Sequence, residues 1–145
     1  MALFIGVSSS QEKNAVVAIE KAYAEVCIPL QGHSPSFLLL FASPLAYNQN
    51  ELLQALSAKS PGSAIIGCST AGEITSGAGS LDSSIALMAF YSDQMKFVPG
   101  VGQGIKDDPR KAGQELARDI QKNADGEMPK ACIILPDGLA GNGAD

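Results

Sequence analysis

Short runs of consecutive apolar residues, each followed by apolar positions three and four apart, organise the first half of this chain. Leu3 to Val7 reads as a first buried strand, ended by Ser8-Ser9-Ser10. Ser9 has Glu12 three residues on, which is the capping-box spacing for a helix start. Val16, Ile19, Tyr23 and Val26 then recur at helical spacing, with Glu12, Lys13, Glu20 and Lys21 elsewhere on the surface, and Pro29 and Gly32 stop the helix. Ser36 to Ala42 carries Phe37-Leu38-Leu39-Leu40-Phe41 without alternation, the pattern of a strand buried on both faces. Asn48 with Glu51 marks a second helix start, Leu52, Leu53 and Leu56 supply its apolar face, and Ser60-Pro61-Gly62 ends it. Ala64 to Ile66 is a third strand. The order β-α-β-α-β predicts a parallel sheet covered by helices.

Beyond residue 82 the pattern changes. Ser83 to Tyr91 and Met95 to Val101 are strand-like, and Ser92-Asp93-Gln94 between them is short enough for a hairpin. Gly100, Gly102 and Gly104 predict a bulge or a close approach of backbones. Asp108 as N-cap and Pro109 at the first helical position begin a third helix, with Ala112, Leu116 and Ile120 on its apolar face and Asp125-Gly126 at its end. A last apolar strand, Ala131 to Leu135, runs into Pro136-Asp137-Gly138-Leu139. The expected fold is α/β: a mainly parallel sheet of β-α-β units with an antiparallel hairpin and helices packed on the sheet.

With 145 residues, 46% apolar and 17% charged, the chain is long enough for one globular domain spanning 1–145. A net charge of −5 and scattered Lys and Arg exclude a nucleic-acid partner, whose phosphates need clustered cations. The longest apolar run, Phe37 to Ala42, is far short of the ~18–20 residues that cross a membrane. The N-terminus lacks the basic region and apolar length of a signal peptide. Three widely spaced cysteines, Cys27, Cys68 and Cys132, suit free thiols in a reducing compartment, so a cytoplasmic location is expected.

The third strand leads into Gly67-Cys68-Ser69-Thr70-Ala71-Gly72-Glu73, a small, hydroxyl-rich stretch of the kind that forms ligand pockets at strand ends. It has no P-loop lysine, and no Gly-x-Gly-x-x-Gly follows the first strand, so no nucleotide cofactor is expected. One histidine and three dispersed cysteines offer no metal-ligand spacing. Cys68 could serve as a nucleophile only if His33, the sole histidine, were its base; the alternative is a thiol packed beneath the loop. Ser69 and Thr70 are orienting or capping groups. Glu73 and Asp137, both just past strand ends, either receive an ammonium, hydroxyl or water, or fix their own turns. Backbone donors at Gly67, Ala71 and Gly72 could take a carboxylate while Glu73 or Asp137 pairs an amine. The candidate ligand is therefore an amino acid or similar zwitterion.

The stretch Ile65-Ile66-Gly67-Cys68-Ser69-Thr70-Ala71-Gly72-Glu73-Ile74 resembles the N-terminal part of the FIST domain family. The strand run Ile85 to Phe90 and the Leu135-Pro136-Asp137-Gly138-Leu139 exit agree with it. The resemblance implies an intracellular sensory domain that senses a small ligand, with amino acids suggested, beside signalling output modules such as chemoreceptor, histidine-kinase or cyclic-dinucleotide domains. Its signature falls on Cys68, Ser69, Thr70, Gly72 and Glu73, and its second motif on Asp137 and Gly138; it brings no catalytic residues. Family members continue past the Pro-Asp-Gly motif, so this chain is expected to be truncated at its C-terminal end. Missing strands would leave an open sheet edge, and with it a homo-oligomer that shares an edge strand or an apolar face. The competing expectations are an enzyme using Cys68 and a protein-interaction scaffold.

Overall fold

A computed structural model describes residues 2–140 and separates the chain into two compact units, Met1–Phe97 and Val98–Asp145. In the first unit the elements are β1 (Leu3–Ser10), α1 (Ala15–Cys27), a 3₁₀ turn at Ile28–Leu30, β2 (Phe37–Ala42), α2 (Gln49–Lys59), β3 (Ala64–Ser69), β4 (Glu73–Thr75), β5 (Gly79–Leu81) and β6 (Ile85–Ser92). The main sheet has the order β1-β6-β2-β3.

Where a mainly parallel sheet was expected, the sheet is mixed. Only β2 and β3 pair in parallel, while β6 runs antiparallel to both β1 and β2. The first three strands do share one direction, as the β-α-β-α-β order predicts, but β6 lies between the first two. Burial explains this placement. Ile85 to Phe90 is apolar at every position and belongs inside a sheet, whereas β1 ends in Ser8-Ser9-Ser10 and belongs at an edge. The expected hairpin of Ser83–Tyr91 with Met95–Val101 is therefore replaced, since both sides of β6 are taken. The antiparallel hairpin is instead β4-β5, with Glu73 opposite Leu81 and Thr75 opposite Gly79.

The core lies on one face of the sheet. Leu38, Leu40 and Ala42 of β2 and Ile85, Leu87 and Ala89 of β6 pack with Ala18, Ile19, Ala22 and Val26 of α1 and Leu52 and Leu56 of α2. Full burial of a leucine such as Leu52 or Leu56 contributes about 1.5–3 kcal/mol. Two helix-face expectations shift by one position: Val16 and Leu53 point outward, and alanines take the sheet-facing side of α1. The helix starts also differ. Asn14, not Ser9, caps α1, accepting from the Val17 amide at 3.1 Å, because Ser9 is committed to β1. Asn48 caps α2 as expected, accepting from Asn50 and Glu51. On the opposite face Phe37, Phe90 and Phe97 form an aromatic cluster, with Phe37 and Phe97 stacked at 5.1 Å.

The second unit holds α3 (Pro109–Asn123), capped by Asp108 with Pro109 at the first turn. The close approach expected of the glycines is present. A side chain on Gly100 would meet Ile120 at 2.6 Å, and one on Gly102 would overlap the Ala112 carbonyl. Ala131 to Leu135, expected as a strand, forms none, and Ile133 and Ile134 are exposed. Among the described residues this unit contains no strand edge for the run to bond, and a strand without a neighbour leaves its backbone unpaired.

Candidate functional site

Because β1, β2 and β3 share one direction, their carboxyl ends gather on one side of the sheet, where β6 begins. The register aligns Ser10 with Ile85, Ala42 with Ile85 and Ala42 with Ser69. Open α/β sheets bind ligands at that end. Two features stand there: the turn after β3, and the junction of β1 with α1.

The turn after β3 is tighter than the sequence implies. Gly67, Cys68 and Ser69 belong to β3, leaving Thr70, Ala71 and Gly72 as the connection to β4. Neither Gly67 nor Gly72 takes a positive φ. Gly67 serves close packing instead, since a side chain there would overlap the Leu40 carbonyl of β2. Gly67 is thus a ladder residue opposite Leu40 rather than a freed backbone donor.

Glu73 is the central residue of this region. It is only 3% exposed, and both carboxylate oxygens are used. The Thr70 hydroxyl donates to Oε1, and the hydroxyl of Ser84, itself fully buried, donates to Oε2. The carboxylate thereby ties the exit of β3, the start of β4 and the entry to β6 into one knot. Tyr47 is close by, its hydroxyl donating to the Glu12 carbonyl at 2.8 Å and the Ser83 carbonyl at 3.4 Å. Burial, and then the negative charges of Glu73 and Glu12, push the Tyr47 phenol above the ordinary tyrosine range. Of the two roles open to Glu73, the geometry is that of a turn-fixing group.

The remaining signature residues divide between the units. Ser69 is exposed and Cys68 half-buried in the first unit. Burial pushes the Cys68 thiol up, away from the thiolate a nucleophile needs. His33, the base Cys68 would require, stacks on Tyr91 at 4.1 Å and on Phe4 at 5.6 Å, at the far end of the sheet. Cys68 aligns through Phe41 with Ala86, and Ala86 to Tyr91 is roughly 17 Å along β6. Asp137 and Gly138 lie in the second unit. There Asp137 closes its own turn, accepting from the Leu139 amide at 3.0 Å on its side chain and from the Ala140 amide at 3.2 Å on its carbonyl.

A concavity in the first unit that sequence reasoning missed is a cleft of about 730 Å³ at the β1–α1 junction, walled by residues 9–14 and by Lys21 and Glu25. Its lining carries two cations, Lys13 and Lys21, and two carboxylates, Glu12 and Glu25. Lys21 pairs with Glu12, and the Ser8 hydroxyl donates to Glu25. The first turn of α1 holds no acidic residue, and Asn14 caps its Val17 amide at this end of the cleft. The available signal was positional: Ser8-Ser9-Ser10 is also a strand exit into a helix start. No group of histidine, cysteine and carboxylate side chains among the described residues could hold a metal ion. No helix among them is long and apolar enough to cross a membrane.

Two solved structures from M. jannaschii are similar to part of the chain. An FtsZ mutant matches at 20% identity and TM-score 0.38 over 62% of this chain and 27% of its own. An empty FtsZ dimer matches at 20% identity and TM-score 0.38 over 61% and 26%. The chain thus spans about a quarter of those proteins, and likeness at this level carries no functional argument. No curated protein matches the chain. The FIST N domain matches residues 36–145, from the start of β2 through the Gly67–Glu73 signature and the Asp137-Gly138 motif, and the chain belongs to the FIST family of sensory domains in signalling proteins.

Proposed function

We propose that this chain is a small-ligand-binding sensory domain of a cytoplasmic signalling protein, coupled to an output domain or partner protein. Family membership carries the sensory part of this reading. The cleft at the carboxyl ends of the co-directional strands supports the ligand part. A lining with both signs of charge suits a small zwitterion, an amino acid among them. Signalling then follows from population shift: the ligand favours one arrangement of the β1–α1 junction, and the coupling cannot exceed that difference in affinity.

A thermal-shift screen of the twenty amino acids and common metabolites tests this reading. A ligand at a hundredfold excess over its dissociation constant raises stability by about 2.7 kcal/mol, an upward shift of several degrees. The shift is expected to disappear in Lys13→Ala and to survive in Ser69→Ala. Loss in Ser69→Ala with retention in Lys13→Ala would move the site to the β3 turn. A flat screen would count against ligand sensing by this chain.

The reading includes no catalysis by Cys68. The raised thiol and the distance of His33 favour a packed cysteine. Cys68 is accordingly expected to react with a thiol reagent more slowly than exposed Cys132. Mass-spectrometric labelling rates read this directly, and a Cys68 rate tenfold above that of Cys132 would revive the enzyme reading.

A further inference from the structure

β1 is an edge strand without the protections that such strands usually carry. It is eight residues long, and residues 3–10 include no charge and no proline. Its backbone pairs with β6 on one side, and no backbone hydrogen bond reaches its other side among the described residues. On the face away from α1, Leu3, Ile5 and Val7 stand 41%, 43% and 47% exposed, an apolar stripe at every second residue. Natural edges are blunted by lysine, proline, bulges or covering loops, and an edge lacking them is a template for another strand. This strand precedes the residues matched by the FIST N domain, so the argument stands apart from the sensory reading.

We propose that β1 is a self-association edge, on which a second copy of this chain adds its own β1 antiparallel across a two-fold axis. The register follows from the geometry of the ladder. Outward-facing backbone groups recur at every second residue, so self-pairing must match residues of like parity. Centring the axis on Ile5 sets Ile5 against the second copy's Ile5 and Leu3 against its Val7. The whole stripe then meets itself, and Phe4 faces Gly6 on the other surface. No charged side chain is set opposite another, so nothing in the pairing repels. The result is a continuous eight-stranded sheet with an isologous interface.

The size of the contact sets its strength. Five paired residues, Leu3 to Val7, make a strip about 17 Å long and about 10 Å deep, a footprint on the order of 170 Å² per partner. A standard interface buries about 800 Å² per partner, so this dimer is weak and reversible, held mainly by backbone hydrogen bonds. It forms with rising concentration rather than as a permanent unit.

Sedimentation velocity across a concentration series tests the proposal. The chain is expected to show a monomer–dimer equilibrium whose dissociation constant rises about tenfold or more in Ile5→Lys, which sets two like charges face to face. Leu45→Lys, at a 97% exposed site off the sheet, should leave it unchanged. Purely monomeric behaviour at millimolar concentration, or a dimer equally strong in Ile5→Lys, would overturn the proposal. Should Ile5→Lys fail to fold, Ile5→Cys reads the register instead. Paired Cα atoms at the axis lie about 4.5–5.5 Å apart, within disulfide range, whereas the two copies of position 7 are more than about 13 Å apart. Mild oxidation should join the introduced thiols in Ile5→Cys and not in Val7→Cys, as mapped by mass spectrometry. The opposite pattern, or joining in neither, would overturn it as well.

Discussion

Gly6→Ala is expected to destabilise the first unit by about 3 kcal/mol or more. The cause is the closeness of α1 to β1. A side chain on Gly6 would overlap the Val26 carbonyl and its neighbouring backbone atoms. The obstacle is main chain, so no rotamer change relieves it, and either α1 or β1 must move. Moving α1 disturbs Ile19, Ala22 and Val26, all fully buried against the sheet. The alanines on the inner face of α1 express the same constraint, since small residues on the helix and glycine on the strand together allow the approach. Urea unfolding measures the cost. Gly77→Ala, where nothing lies within 4 Å and φ is not positive, should fall within about 0.5 kcal/mol of the parent. Equal stability of Gly6→Ala and the parent would refute the close-packing account.

How much of this was legible from the sequence depended on whether local pattern or tertiary pairing decided each element. The three helices were legible because periodicity and caps are local: Asn48 and the Asp108-Pro109 pair start α2 and α3 where their residue types say they should. The failed cap at Ser9 shows the limit. Serine there is as good a cap as Asn14, but pairing of Ser8, Ser9 and Ser10 with Leu87, Ala86 and Ile85 extends β1 and moves the helix start. Strand existence was legible and strand neighbours were not. An apolar run states that it is buried, not beside which strand, so β6 was assigned to a hairpin with Met95–Val101 instead of the gap between β1 and β2. Ala131 to Leu135 shows the converse: a run with strong strand character that has no neighbour to pair with in its unit.

The site was half legible for a related reason. The Gly67–Glu73 signature was rightly placed at a strand exit. Gly67, however, was read as a free backbone donor, and it instead sits in the ladder opposite Leu40 and permits close contact with β2. The polar residues of the first strand exit were read only as caps. Their role as a cleft wall depends on Lys21 and Glu25, about two and three turns into α1, which line the same cleft as Ser9 and Ser10. That is a helical proximity no linear motif records.

Glu73→Ala is expected to cost about 2–4 kcal/mol, and the argument turns on which of two opposing effects wins. Burying a carboxylate at 3% exposure, with no cation bound to it among the described residues, is unfavourable by several kcal/mol. Two charge-assisted hydrogen bonds, from Thr70 and Ser84, offset that by about 1.5–3 kcal/mol each, which brings the intact group near balance. Truncation breaks the balance. It removes the acceptor but leaves the Ser84 hydroxyl fully buried, at about 1–3 kcal/mol for an unmet donor, and opens a cavity at the base of β4. Glu73→Gln keeps the shape and one good acceptor, so its cost should be nearer 1 kcal/mol. The double variant Glu73→Ala/Ser84→Ala removes the stranded donor as well, and should be less destabilised than the sum of the two single changes. Denaturation midpoints for the four proteins measure this coupling. Additive costs would mean that Glu73 does not clamp β6 through Ser84. A Glu73→Gln protein that stays as stable as the parent yet loses ligand-induced stabilisation would return Glu73 to the binding site.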